Sequence, residues 1–245
     1  MDKTCATLAG AVADIEDGAS VMIAGFGGSG APIELMHALV ARFRATGHPR
    51  DMTVINNNAG TGRVGVAALL DAGMVRKVIC SYPRTRDARA FTARYLAGEV
   101  ALELVPQGTL AERIRAGGAG IPAFYTPTGY GTELARGKPV AEFDGKMCVQ
   151  ERALRADVAL IKAETADTLG NLTYRLAARN FNPLMAAAAT LTVVQARRIV
   201  EPGGIDPEQV ITPGLFVQRV VAVPDPQQEE DLIRADEAAS RPDAW

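Results

Sequence analysis

The side chains of this sequence best placed to do chemistry carry no charge. Asn56, Asn57 and Asn58 stand in a row where an apolar run ends, and Gln107 follows another such run in Val105-Pro-Gln-Gly-Thr-Leu-Ala-Glu-Arg-Ile-Arg115. Carboxamides offer N–H donors without a formal charge, so they can hold a carboxylate or a thioester oxygen and leave neighbouring pKa values little disturbed. The same asparagines also read as a plain turn, Asn-Asn-Ala-Gly, and Gln107 as a neighbour of a helix cap. Gly25-Phe26-Gly27-Gly28-Ser29-Gly30 has the Gly-x-Gly-x-x-Gly spacing of a dinucleotide-binding turn. A nicotinamide site normally needs an acid at the end of the next strand to bind the ribose hydroxyls, and Asn56-Asn57-Asn58 stands there instead. Arg84, in Ser81-Tyr-Pro-Arg-Thr-Arg86, could present a planar fork to a carboxylate or be a solvated loop charge. Arg86 and Arg89 read as surface residues.

No nucleophile accompanies these donors. His37 falls in an amphipathic helical pattern and His48 in a Gly-His-Pro loop, so neither reads as a base facing a serine or cysteine. Cys80 lies in an apolar run and reads as a small core residue. Glu112 has the spacing of a cap partner for Thr109, which leaves Glu133, Glu151 and Glu164 as further carboxylates without a partner motif. Nothing has metal-ligand spacing, so no metal is expected. The stretch from Val105 to Thr132, a capped helix followed by a glycine- and proline-rich loop, looks like half of an active site.

Strands and helices must bring these groups together. Short apolar runs predict strands at Val21–Ala24, Met52–Asn56, Val75–Ser81, Ala101–Val105, Val158–Lys162, Leu191–Gln195 and Leu215–Val223, with helical patterns between most of them. That alternation predicts an α/β fold. Ile33, Met36, Val40 and Phe43 recur at helical spacing, with Pro32 suited to the first helical position. Thr109 and Glu112 predict a capping box that starts a helix at Thr109, with Gly117-Gly118 ending it. In open parallel sheets ligands bind beyond the carboxyl ends of the strands, so the turns after Ala24, Asn56, Ser81 and Val105 are expected to share one crevice.

At 245 residues and 48% hydrophobic content, the chain is expected to form one large domain. A net charge of -2, with basic residues interspersed among acids, argues against nucleic-acid binding. The three cysteines, Cys5, Cys80 and Cys148, are odd in number and far apart, as in a reducing cytoplasm. No apolar stretch is long enough to cross a membrane without interruption. From Pro224 onward the sequence turns polar and reads as an exposed tail with one helical turn at most.

Several of these segments, in this order, resemble the A (alpha) subunit of the family I coenzyme A transferases, the 3-oxoacid and 3-oxoadipate CoA-transferases. They are Asp17 to Pro32, Asn57-Asn-Ala-Gly60, Val75-Arg-Lys77, Val105 to Arg115, Thr126-Pro-Thr-Gly-Tyr-Gly-Thr132 and Ala178-Arg-Asn-Phe-Asn-Pro183. One departure is Ala24, which stands where that family usually has the first glycine of Gly-Gly-Phe. The resemblance spans nearly the whole chain and implies an open, mostly parallel sheet with helices on both faces. It assigns residues 1–224 to the CoA-transferase domain of the alpha type and 225–245 to the polar tail. It also implies a partner B (beta) subunit, whose glutamate in a Ser-Glu-Asn-Gly segment is the nucleophile; no such segment occurs here.

The implied reaction is a ping-pong exchange through a glutamyl-CoA thioester, with the CoA thioester as substrate and no metal or redox cofactor. By carry-over, Asn57, Asn58 and Gln107 face the substrate, and Gly25, Phe26, Gly27, Gly28 and Gly30 line the same pocket. Ser81-Tyr-Pro-Arg84 and the ending Thr212 to Val221 look like the 3-oxoadipate branch, which implies succinyl-CoA as donor, 3-oxoadipate as acceptor and a role in aromatic-compound catabolism. Arg84 would then pair with the second carboxylate. Transfer to acetoacetate or another short 3-oxoacid is the alternative. A reading of a different class is a non-catalytic module that binds acyl-CoA or a sugar phosphate.

Overall fold

The computed structural model describes residues 1–225 together with Glu229 and Arg234. The strands of its main sheet are β1 (Thr4–Cys5), β2 (Ser20–Ile23), β3 (Met52–Ile55), β4 (Val75–Cys80) and β5 (Ala101–Leu104), and later β9 (Ala156–Asp167), β10 (Leu172–Thr173), β11 (Ala189–Val200) and β12 (Arg219–Ala222). Between β5 and β9 come β6 (Ala123–Thr126), β7 (Val140–Phe143) and β8 (Lys146–Arg152). The α-helices are α1 (Leu8–Ala11), α2 (Ile33–Thr46), α3 (Val66–Asp71), α4 (Arg89–Leu96), α5 (Gln107–Ala119) and α6 (Asn182–Ala188).

The main sheet runs β1-β12-β11-β9-β2-β3-β4-β5, with β10 added to β9. Every pairing along that path is parallel, and only β10 runs antiparallel. Both faces are covered, which is why the inner strands are rich in Val, Ile, Leu and Ala. Val21, Ile23, Val54, Val78 and Leu160 point into one core with α1 to α4. Met22, Ile55, Ile79, Ala159 and Ile161 point into the other with α5 and α6. From β2 the chain moves outward through β3, β4 and β5, while β9, β11 and β12 fill the other side. The strand order therefore reverses between β2 and β9, and a crevice must open beyond their carboxyl ends.

The expected open parallel sheet with helices on both faces is present, and six details differ from the expectation. Helix α2 opens at Ile33, because Pro32 (ψ 67°) lies just outside it. The last strand, β12, begins only at Arg219, after a 3-10 turn at Gly214–Phe216.

Helix α5 opens at Gln107, two residues before the expected cap. There is no capping box: the buried Thr109 hydroxyl has no partner among the described residues, and Glu112 pairs with Arg115 at 2.6 Å. Nor do Gly117 and Gly118 end the helix, which runs to a left-handed Gly120 (φ 72°). They are glycines because of close approach: a Cβ on Gly117 would sit 2.2 Å from the Leu154 carbonyl oxygen, and one on Gly118 2.9 Å from the Ala187 Cβ.

The loop expected after α5 instead contributes β6 to a second, antiparallel sheet of order β6-β8-β7. Its hairpin turn is Asp144-Gly145 (φ 50° and 73°), the pair that a two-residue turn with two left-handed residues favours.

Most of the expected tail lies outside the described residues. At Glu229 the expectation of exposure fails: this residue is 7% exposed, and its carboxylate bonds the Lys162 Nζ at 2.7 and 2.8 Å. Glu34 lies close enough to feel that pair. Burial first, and then the Glu229 charge, push the Glu34 carboxyl above its ordinary range. No helix among the described residues is long and apolar enough to cross a membrane.

Candidate active site

The turn after β2 is a tight backbone knot. Phe26 and Ser29 exchange N–H to carbonyl bonds of 3.0 Å each, leaving Gly27 (φ 57°) and Gly28 (φ 84°) as a two-residue tip. Two consecutive left-handed residues exclude almost everything but glycine. With the residues after β3, this turn encloses a cavity of about 350 Å3 lined by Gly25, Gly27, Gly28, Asn57, Asn58 and, at its apolar base, Met36. The glycine turn and the asparagines thus meet at one cavity. Two residues expected in its wall lie outside the lining: Phe26, which is exposed, and Gly30, which is buried against Ala178 and Asn182.

The asparagines do more bracing than their sequence reading implied. Asn56 and Asn57 are 5% and 6% exposed. Asn56 donates through Nδ2 to the Ile23 carbonyl at 2.6 Å, and Asn57 donates to the Gly25 carbonyl. Asn58 is half-buried; its Oδ1 accepts the Gly60 amide at 2.8 Å, and its Nδ2 donates to Asn57 Oδ1 at 3.2 Å. Each side chain thus spends a donor inside the protein. β3 carries its asparagines at the carboxyl end because they tie that end to the turn leaving β2.

Gln107 stands one strand beyond β4, as the first residue of α5. It is exposed, lies outside the cavity lining and contacts the Ser81 hydroxyl through Oε1. Ser81 Oγ also lies 2.8 Å from the Asn57 carbonyl, which already accepts the Ser81 and Tyr82 amides at 3.2 and 3.1 Å. A hydroxyl has one proton, and a carbonyl oxygen two lone pairs. The assignment that satisfies every group sends the Ser81 proton to Gln107 Oε1, which leaves the Gln107 NH2 group free to donate outward. A relay therefore crosses the strand ends, from Gly25 through Asn57 and Ser81 to Gln107.

Arg84 is exposed on the loop after β4 and outside the cavity lining. That loop is fastened to the cavity wall: Thr85 Oγ1 donates to the Gly60 carbonyl at 2.7 Å, and the Gly62 amide donates to the Asp87 carbonyl at 2.9 Å. Arg84 thus sits outside the cavity, on a loop tied to its wall. Arg86 and Arg89 are exposed too, and Arg89 pairs with Asp87 at 2.6 Å.

The titratable groups of the sequence reading stay out of the cavity. Burial lowers the pKa of His37, whose Nε2 accepts the Gly65 amide at 3.4 Å. His48 pairs with Asp17 at 2.9 Å. Burial pushes the Cys80 thiol up to about 11, which makes it a poor nucleophile. Glu112, Glu133, Glu151 and Glu164 are absent from the lining; Glu133 pairs with Arg136 and Glu151 with Lys138, each at 2.6 Å. Among the described residues no group of three or more His, Cys, Asp or Glu could hold a metal ion.

The sequence reading assigned no role to Asn180 and Asn182. Both donate through Nδ2 to the glycine turn, Asn180 to the Ser29 carbonyl at 2.9 Å and Asn182 to the Gly30 carbonyl at 3.1 Å. Their signal was present as two asparagines flanking Phe181, but their target lies about 150 positions earlier in the chain.

The family described as coenzyme A transferase matches residues 5–223. The A (alpha) subunit of the 3-oxoadipate CoA-transferase of Pseudomonas putida is 56% identical over 223 residues, which cover 91% of this chain and 94% of that protein. The corresponding subunit of the succinyl-CoA:3-ketoacid coenzyme A transferase of Xanthomonas campestris pv. campestris is 51% identical over 231 residues, 94% of this chain and 91% of the relative. Among solved structures, an acyl-CoA transferase from E. coli O157:H7, in a thioester complex with CoA, superposes with a TM-score of 0.79 over 91% of this chain at 24% identity. This chain spans 48% of that one, and at such an identity the likeness speaks for the fold alone. The family match across nearly all of the chain, joined by two relatives above 50% identity, establishes that the chain belongs to the coenzyme A transferase family.

Proposed function

We propose that this chain is the alpha subunit of an enzyme that moves CoA from succinyl-CoA to a 3-oxoacid, with 3-oxoadipate as the preferred acceptor and the nucleophilic glutamate on a B subunit. The observation that carries the reading is a crevice walled by the glycine turn and the uncharged Asn57 and Asn58, with no carboxylate or thiol among its described lining residues. A carboxylate on the partner attacks the thioester carbonyl, and the tetrahedral oxyanion collapses to an anhydride and CoA thiolate. The thiolate then attacks the glutamyl carbonyl, which expels succinate and leaves a glutamyl-CoA thioester. The acceptor's carboxylate reverses these steps.

The reaction passes through carboxylates and oxyanions in turn. Neutral donors fixed in place can serve both without trapping either as a tight ion pair. In this scheme the Gln107 NH2 group and the amides of the glycine turn supply them, while Asn57 and Asn58 hold the wall. CoA enters as a substrate, and the scheme uses no metal or redox group. Three free cysteines support a cytoplasmic location.

The isolated chain is expected to show no CoA exchange, and co-expression with its B subunit to restore it. Turnover by the isolated chain, with a glutamyl adduct trapped on one of its own side chains, would overturn the reading. The second reading, a shorter 3-oxoacid such as acetoacetate as the main acceptor, is favoured by the position of Arg84 outside the cavity and by the 51% identical relative named for 3-ketoacids. Arg84→Ala decides between them. If Arg84 meets the distal carboxylate, its loss should weaken 3-oxoadipate by about 1.5 to 3 kcal/mol, read as a raised KM, and leave a monocarboxylic acceptor nearly unchanged. Equal effects on both acceptors would remove Arg84 from substrate choice.

A further inference from the structure

Four carboxamides grip the glycine turn, and they come from two directions. Asn56 and Asn57 hold its entry from β3, through the carbonyls of Ile23 and Gly25. Asn180 and Asn182 hold its exit from the segment that leads into α6, through the carbonyls of Ser29 and Gly30.

Asn182 is wholly buried, and its amide joins three parts of the fold. Its Nδ2 donates to the carbonyls of Gly30 and Ala178, at 3.1 and 2.7 Å, and its Oδ1 accepts the Lys162 amide of β9 at 2.8 Å. Asn180 is half-buried. Its Nδ2 is shared between the carbonyls of Ser29 and Ala177, at 2.9 and 2.7 Å, and its Oδ1 accepts the Phe181 amide at 2.7 Å.

A peptide unit is planar and trans, so holding its carbonyl in one direction aims its N–H in the other. Fixing the Ser29 carbonyl therefore fixes the Gly30 amide. Inside these grips, the Phe26–Ser29 exchange and the Ala31 amide on the Gly28 carbonyl hold the neighbouring peptides, so that among the described residues only the Gly27–Gly28 peptide of the turn is without such a bond. Gly27, Gly28 and Gly30 donate their amides to no acceptor among the described residues, and Gly27 and Gly28 line the cavity. Unpaired N–H groups at successive residues of a turn can form a concavity suited to an anionic oxygen.

We propose that Asn180 and Asn182 are positioning residues of the transferase reaction, holding the exit of the glycine turn so that its unpaired amides stay aimed at the substrate's anionic oxygens. The inference rests on the CoA-transferase reading above. A purely structural role would be felt in folding and assembly, whereas a positioning role is felt in turnover. Donors displaced by an ångström lose their hold on the transition state more than on the ground state.

The test uses the assembled enzyme with Asn180→Asp and Asn182→Asp. Each replacement keeps the acceptor oxygen and removes the donor that holds the turn. At about pH 8, where the new carboxyl is ionised, kcat should fall about 10- to 100-fold while the KM for succinyl-CoA stays within about twofold. As the pH drops toward about 5, a carboxyl set among carbonyl oxygens regains a proton and can donate again, so the ratio of variant to parent kcat should rise. If Asn182→Asp does not assemble, Asn180→Asp and Asn180→Ala decide the matter, and the alanine variant should show the loss without the recovery at low pH.

An unchanged kcat in folded, assembled Asn180 variants would overturn the inference. So would a loss that merely follows the fraction of folded enzyme. A parent enzyme that exchanges no CoA with its partner present would instead overturn the proposed function, and the inference with it.

Discussion

Replacing Gln107 by alanine in the assembled enzyme is expected to lower kcat by about 100- to 1000-fold, the usual cost of losing one donor to a developing oxyanion. The size of the effect follows from how the side chain is held. Ser81 takes up Gln107 Oε1 and is itself bonded to Asn57 through its backbone amide, so the outward NH2 group is locked to the same frame as the glycine turn. Gln107 is also the first residue of α5, where unpaired helix amides already favour negative charge. Gln107→Glu should do at least as much damage, since it replaces a donor with a charge that repels carboxylates. The thermal midpoint should barely move, because the side chain is exposed and fills no core space. Single-turnover formation of the glutamyl-CoA thioester reads the effect on chemistry apart from product release. A loss of less than about tenfold would mean that Gln107 does not face the reacting atoms.

Gly30→Ala is expected to have the largest effect on stability, about 3 to 5 kcal/mol. The residue sits at φ 71°, where a side chain costs about 1 to 2 kcal/mol in backbone strain alone. Its added Cβ would lie 2.4 Å from the Ala178 carbonyl oxygen and 2.8 Å from Asn182 Nδ2, so the segment that clamps the turn would have to move away. For a chain of this size that corresponds to a fall in thermal midpoint of roughly 10 °C. Gly27→Ala is the control. It carries similar strain (φ 57°) but meets nothing within 4 Å, so it should cost about 1 kcal/mol. Similar midpoints for the two variants would show that the clamp does not press on the turn.

What could be read from the sequence was what depends on near neighbours. Apolar runs such as Val21–Ala24 announced buried strands, and Val21, Met22, Ile23 and Ala24 are each fully buried. Asn57, Asn58 and the glycine turn were expected at strand ends, and the sheet does bring them to one cavity. The errors lie where a distant partner overrides a local pattern. Thr109 and Glu112 have capping-box spacing, but the helix had already begun at Gln107 and Arg115 claims the glutamate. Gly117-Gly118 reads as a helix end until Leu154 and Ala187 are seen pressing on it. The hairpin at Asp144-Gly145 was announced locally but hidden by short, half-polar strands such as Val140–Phe143. Whether an asparagine offers its amide outward or spends it on a backbone carbonyl is settled by tertiary contact, and spacing carries no trace of it.

The two grips on the glycine turn also differ in when they become available. Asn57 follows Gly25 by 32 positions, whereas Asn182 follows Gly30 by 152. A ribosome adding roughly 5 to 20 residues per second delivers the second grip several seconds after the turn itself. Throughout that interval the nascent N-terminal half carries a loop fastened on one side only. The order of synthesis thus sets a lower bound: the turn cannot have both of its grips before α6 has been made.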